Sequence, residues 1–139
     1  MKSRRMMQDR TRNIFWLAML LGVVTLALPG AICAQDLVGG RYVSSAGVNI
    51  VLELDIKSAA AGNLIVHQFF PAGITIVKSS PPAMKFDNGK AKWLIKKVQP
   101  GTLRIAVELS GPIPPGEVRA EVRCRDQETG KMLNIAISP

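Results

Sequence analysis

From Glu117 to Arg125 the chain alternates without a break: Val118, Ala120, Val122 and Cys124 are apolar or small, while Glu117, Arg119, Glu121, Arg123 and Arg125 are charged. Successive side chains of an extended strand point to opposite faces, so a period of two describes a strand with one dry and one wet side. The signature recurs in Val48, Ile50, Leu52, Leu54 and Ile56 against Asn49, Glu53 and Asp55. It recurs again in Leu103, Ile105, Val107 and Leu109 against Thr102, Arg104 and Glu108. Further strands are expected over 40–44, 64–70, 74–79, 83–87, 90–97 and 131–137. Turn residues divide them: Pro71-Ala72-Gly73, Pro81-Pro82, Asn88-Gly89, Pro100-Gly101, the stretch 111–116 and Thr129-Gly130. Short strands at this spacing, with no helical period after residue 34, predict an all-β fold: an antiparallel immunoglobulin-like β-sandwich of seven or eight strands.

The Asn88-Gly89 pair fixes one register, because a two-residue turn of this kind joins adjacent antiparallel strands in a single way. It sets Asp87 opposite Lys90, Phe86 opposite Ala91, Lys85 opposite Lys92 and Met84 opposite Trp93. Met84, Phe86, Ala91 and Trp93 are expected on the core side, and Lys85, Lys92 and Lys96 on the other. Like charges placed opposite each other weaken a strand pair. The three lysines are therefore a candidate contact for an acidic glycan, a lipid headgroup or a protein, with the alternative that they form a solvated face that discourages edge pairing.

The first 34 residues have a different character. Lys2, Arg4, Arg5, Arg10 and Arg12 give a basic start, residues 14–28 carry no charge, and Pro29-Gly30 precedes Ala31-Ile32-Cys33-Ala34. This is the three-part layout of a secretory signal peptide, forming an N-terminal signal helix, with cleavage expected after Ala34 and a mature start at Gln35. An uncleaved anchor is the alternative, since residues 14–34 approach the length that spans a bilayer. Either way residues 35–139 are expected as one domain. The chain is exported on this reading, to the periplasm or the cell surface, or is anchored in the inner membrane by residues 14–34.

Removing the leader changes the charge balance. The chain has 18 Lys and Arg and 10 Asp and Glu; the leader takes five cations and Asp9, leaving thirteen against nine. Cys33 leaves too, so Cys124 has no partner for an internal disulfide, and its place on the apolar side of its strand marks a buried small hydrophobe. There is no nucleophile elbow, no phosphate-cradling glycine loop and no metal-ligand spacing of Cys and His; His67, the sole histidine, is expected to be structural. No enzymatic activity, cofactor or metal is expected. Nucleic acid is not an expected partner either, given modest charge, export, and a lysine face without aromatic residues of its own.

The segment from Asn63 to Gly73 (NLIVHQFFPAG), followed by Ile74-Thr75-Ile76-Val77, resembles the strand, Pro-Ala-Gly turn and strand of the DUF11-type immunoglobulin-like repeats of secreted and surface proteins of bacteria and archaea. Trp93, Pro100-Gly101 and the strand through Leu103, Ile105 and Val107 follow in that family's order, so the resemblance covers residues 48–137 in a single copy. It implies an extracellular or envelope module of structural or adhesive kind. It also implies that Leu64, Val66, Gln68 and Phe70 face inward, leaving Ile65, His67 and Phe69 as an outward stripe and Ile65 and Phe69 as candidate partner contacts. The combined expectation is a non-enzymatic exported envelope protein with a structural or adaptor role, binding an unidentified envelope or surface protein. The alternative is a soluble binding module for acidic polysaccharide or lipid headgroups through the lysine face.

Overall fold

The computed structural model describes residues 37–139. The expected signal helix, its cleavage point and the anchor alternative fall on residues outside that range. Nine strands form: β1 (Val38–Ser44), β2 (Gly47–Ile56), β3 (Leu64–Phe69), β4 (Ile76–Ser80), β5 (Lys85–Asp87), β6 (Lys90–Ile95), β7 (Gly101–Ile113), β8 (Arg119–Arg125) and β9 (Met132–Ile137). They make two sheets, one of four strands in the order β1-β2-β7-β4 and one of five in the order β5-β6-β3-β8-β9. All pairings are antiparallel. The all-β, two-sheet sandwich is as expected; each of the nine expected stretches contributes a strand, one more than the seven or eight expected of the sandwich, with β4 and β5 shorter than their stretches.

Alternation does the folding work. Ile50, Leu52, Leu54, Ile105, Val107 and Leu109 from the four-stranded sheet meet Leu64, Val66, Ala91, Trp93, Ala120, Val122 and Cys124 from the five-stranded sheet, and all are buried. Each fully buried Leu or Ile contributes roughly 1.5–3 kcal/mol relative to exposure. Trp93, 1% exposed, donates its indole N–H to the Pro81 carbonyl at 3.0 Å and to Ser79 Oγ at 3.2 Å. The indole thus ties the five-stranded sheet to the chain that leaves β4. At the opposite side Gly40 of β1 lets β9 close in, since a Cβ there would overlap Ile137 Cδ1. A short 3-10 turn, Ala59–Ala61, capped by the Ser58 hydroxyl, places buried Ala61 at one end of the core.

Several local expectations are corrected. The Asn88-Gly89 turn forms with φ of 49° and 73°, as a type I′ turn requires, and pairs Asp87 with Lys90, Phe86 with Ala91 and Lys85 with Lys92. The expected register ends there, and Met84 N–H donates to the Lys92 carbonyl at 2.8 Å instead of pairing with Trp93. Met84 is 58% exposed instead of lying under Trp93, because Ser79 and Pro81 meet the indole and β5 begins only at Lys85. Val48 is also outside the core, since the register of β2 on β7 shifts between Gly47 and Asn49 and breaks the alternation. The strand β7 continues through Gly111 and Pro112 to Ile113, where a turn was expected from 111 onward.

Candidate functional site

β3 is the middle strand of the five-stranded sheet, and its registers assemble the outer face in cross-strand rows. Phe69 lies between Lys90 of β6 and Arg119 of β8, with Asp87 beyond Lys90. His67 lies between Lys92 and Glu121, with Lys85 beyond Lys92. Ile65 lies between Leu94 and Arg123. The lysine face and the Ile65/Phe69 stripe, which the sequence presents as separate surfaces, are therefore one surface. The lysine face does carry an aromatic side chain, contrary to expectation: Arg119 Cζ sits 4.5 Å and Lys90 Nζ 5.3 Å from the Phe69 ring centroid.

The stripe faces outward but does not stand free. Ile65 and Phe69 are half-buried and His67 is 9% exposed. The charged heads of Lys90 and Arg119 lie over the Phe69 ring in cation–π geometry. Lys96 lies past the end of β6, where the chain turns through Lys97 at φ 51°, so it stands apart from Lys85 and Lys92. Lys90, Arg119 and Arg123 join them instead. An open groove of about 530 Å³ runs between the β5–β6 hairpin and β3, lined by His67, Phe69, Lys85, Asp87, Lys90 and Lys92. Phe69 also borders a second cleft of about 350 Å³ with Pro71, Gly89, Glu117 and Arg119.

The two outer faces differ in charge. On the four-stranded sheet Arg41, Lys78 and Arg104 balance Glu53, Asp55 and Glu108, and Glu53 accepts hydrogen bonds from Arg41 Nη2 at 2.8 Å and Arg104 Nε at 2.9 Å across three adjacent strands. Those two guanidiniums hold the Glu53 carboxyl below its ordinary value. On the five-stranded sheet Lys85, Lys90, Lys92, Arg119, Arg123 and Arg125 face two carboxylates, Asp87 and Glu121, an excess of four positive charges. Lys85 meets Asp87 at 3.7 Å and Arg123 meets Glu121 at 3.4 Å. Lys90, Lys92, Arg119 and Arg125 enter no ion pair among the described residues. Residues 35–139 have the same excess of four, so this one face accounts for the whole imbalance.

His67 sits at the centre of the face. Burial pushes its imidazole below the ordinary value, and Lys90, Arg123 and Lys92 press it further down against the pull of Glu121. Its Nδ1 is buried without a hydrogen-bond partner. Cys124 on the inner face is buried, and burial raises its thiol above the ordinary value, with the charge of Asp126 adding to the rise. Among the described residues no three His, Cys, Asp or Glu side chains converge to hold a metal ion, and no helix is long and apolar enough to cross a membrane. The face presents cations around a half-buried, partly apolar floor.

No protein-family model, curated protein or solved structure matches the chain.

Proposed function

We propose that this chain is an exported, non-enzymatic binding module, an immunoglobulin-like domain of DUF11 type in single copy, that holds a polyanion on the outer face of its five-stranded sheet. One observation carries the reading: the whole charge excess of residues 35–139 lies on that face while the opposite face is balanced. Stability alone disfavours such an arrangement. Lys85 directly opposite Lys92 is a like-charge pair that weakens the ladder, whereas the Arg41–Glu53–Arg104 rows show complementary charge built in register elsewhere on the same domain.

Of the two functions considered from sequence, the geometry supports the binding module more strongly than an adaptor that docks a protein through Ile65 and Phe69. Phe69 is overlaid by Lys90 and Arg119, so an apolar partner reaching that end of the stripe must first displace two cations. The ligand chemistry is carboxylate, sulfate or phosphate groups repeated along a polymer or a surface, met in the periplasm or at the cell surface.

The test is retention of the full-length chain on an immobilised polyanion and on its uncharged counterpart. Retention on the charged matrix alone, release by moderate salt as exposed charges are screened, and loss in a Lys85→Glu/Lys90→Glu/Lys92→Glu variant are expected. Equal retention on both matrices, or binding indifferent to salt, sinks the reading.

A further inference from the structure

The arrangement of the cations narrows the ligand, and the narrowing rests on the polyanion reading above. Neighbouring strands lie about 4.8 Å apart, so β6 and β8 run about 10 Å apart with β3 between them. The flanking strands carry the charges: Lys90 and Lys92 on β6, backed by Lys85 on β5, and Arg119 and Arg123 on β8. The middle strand carries Phe69, His67 and Ile65, all wholly or half buried, over a length of about 13 Å at roughly 3.3 Å per residue. The face is therefore a trough with cationic rails and a low, uncharged floor. Its charges are staggered. The Phe69 row has a cation on each rail with Asp87 at its outer end, the His67 row has Lys92 and Lys85 on one rail and Glu121 on the other, and the Ile65 row has Arg123, which meets Glu121 at 3.4 Å and leaves the β8 rail a net positive charge with Arg119.

We propose that this trough binds a linear acidic polysaccharide, with its chain laid along β3 and its carboxylate or sulfate groups taken alternately by the β5–β6 and β8 rails. Three alternatives fit less well. A single small anion reaches the Lys85, Lys90 and Lys92 cluster and leaves the Arg119 and Arg123 side unused. A flat membrane surface meets the tips of the rails and misses the recessed floor. A single-stranded nucleic acid needs an open aromatic ring for its bases, whereas the Phe69 ring already lies under Arg119 at 4.5 Å and Lys90 at 5.3 Å. A sugar chain suits the trough because it needs no open ring: its hydroxyls and anionic groups meet the cations that lie over Phe69, and its C–H edges reach half-buried Ile65. His67, 9% exposed at the midpoint, lies low in the floor between the rails.

The experiment titrates the full-length chain with oligogalacturonates of increasing length, from monomer through tetramer to octamer, and in parallel with phosphatidylglycerol vesicles, oligo-dT and inorganic phosphate. Affinity is expected to rise by more than about tenfold from monomer to octamer, because each added residue binds at a high effective concentration. Vesicles, oligo-dT and phosphate are expected to bind more weakly than the octamer. Arg119→Gln/Arg123→Gln and Lys90→Gln/Lys92→Gln are each expected to remove most of the length-dependent gain, with circular dichroism checking that both variants fold. A monomer as tight as the octamer, or binding insensitive to the arginine pair, overturns the trough while leaving a polyanion-binding face. Tighter binding to vesicles or oligo-dT overturns the polysaccharide assignment. Failure of every polyanion to bind overturns the polyanion reading itself.

Discussion

Replacing Gln68 by Met should stabilise the domain. Gln68 is 0% exposed at the centre of the five-stranded sheet, flanked in register by Ala91 and Ala120, and both its amide oxygen and its amide nitrogen are buried without a partner. Opposite it in the core, the Tyr42 hydroxyl is also buried and unpartnered. Burial pushes the phenol well above its ordinary value, a rise opposed by a hydrogen-bonding approach to Gln68 whose geometry falls short of satisfying either group. Each orphaned buried polar group costs about 1–3 kcal/mol. Met conserves the length of Gln and removes both of its orphaned atoms, so a gain of about 2 kcal/mol is expected. At roughly 4–8 °C per kcal/mol for a domain of this size, Tm should rise by about 10 °C. Thermal and urea unfolding followed by Trp93 fluorescence measure it. Tyr42→Phe should also stabilise, and the double variant should be additive within about 0.5 kcal/mol. A destabilised Gln68→Met, or a favourable coupling above about 1 kcal/mol in the cycle, refutes the reasoning and shows that the amide and phenol are bonded, directly or through a buried water.

Gly89→Ala should destabilise by about 1–3 kcal/mol, because the position has φ 73° and the new Cβ would lie 2.8 Å from the Phe70 carbonyl oxygen; an unchanged urea midpoint refutes the strain. Trp93→Phe should cost about 1–3 kcal/mol, since the Pro81 carbonyl loses its N–H donor and the smaller ring leaves space, and circular dichroism melting reads the loss. His67 has a depressed folded pKa, so between that value and its ordinary 6.5 the unfolded chain binds the additional proton. Stability should therefore fall as pH drops below about 6.5, and this slope should disappear in His67→Gln. A polyanion over Lys90, Lys92 and Arg123 offsets the repulsion that His67 feels, so its binding should strengthen as pH falls across the same window; titrations in two buffers of different ionisation enthalpy should report proton uptake, and none in His67→Gln.

What the sequence made legible is whatever lies within one strand or one tight turn. Alternation in 50–56, 103–109 and 118–125 assigned each side chain its face, and Asn88-Gly89 gave three correct pairs across β5 and β6. Those are local facts, fixed by the pleat and the turn. The errors came where local rules end: Met84 lies beyond the hairpin ladder, and Val48 lies at a register shift that the pattern of apolar residues does not show. The candidate site depends on non-local facts. Nothing near Phe69 in the sequence announces Arg119, 50 positions away, as its cross-strand neighbour. The alternating arginines of β8 were visible, and so were the lysines of β6. That one uncharged strand lies between them was not, because strand order is decided by how the two sheets close over Trp93 and the core.

This division bears on how the basic face should be understood. A solvated sheet surface is under weak constraint, and its charges usually alternate in sign because opposite pairs add a few tenths of a kcal/mol and like pairs subtract as much. The four-stranded sheet follows that rule down to the doubly bonded Glu53. The five-stranded sheet departs from it through the like pair Lys85 and Lys92 on the β5–β6 side and through three arginines against the single Glu121 on β8, and β6 and β8 are not consecutive in sequence and are joined only through β3. A departure confined to one hairpin could be explained by its turn. One shared by two strands that meet only across a third requires a cause acting on the assembled face, and a ligand carrying the opposite charge along that face supplies one.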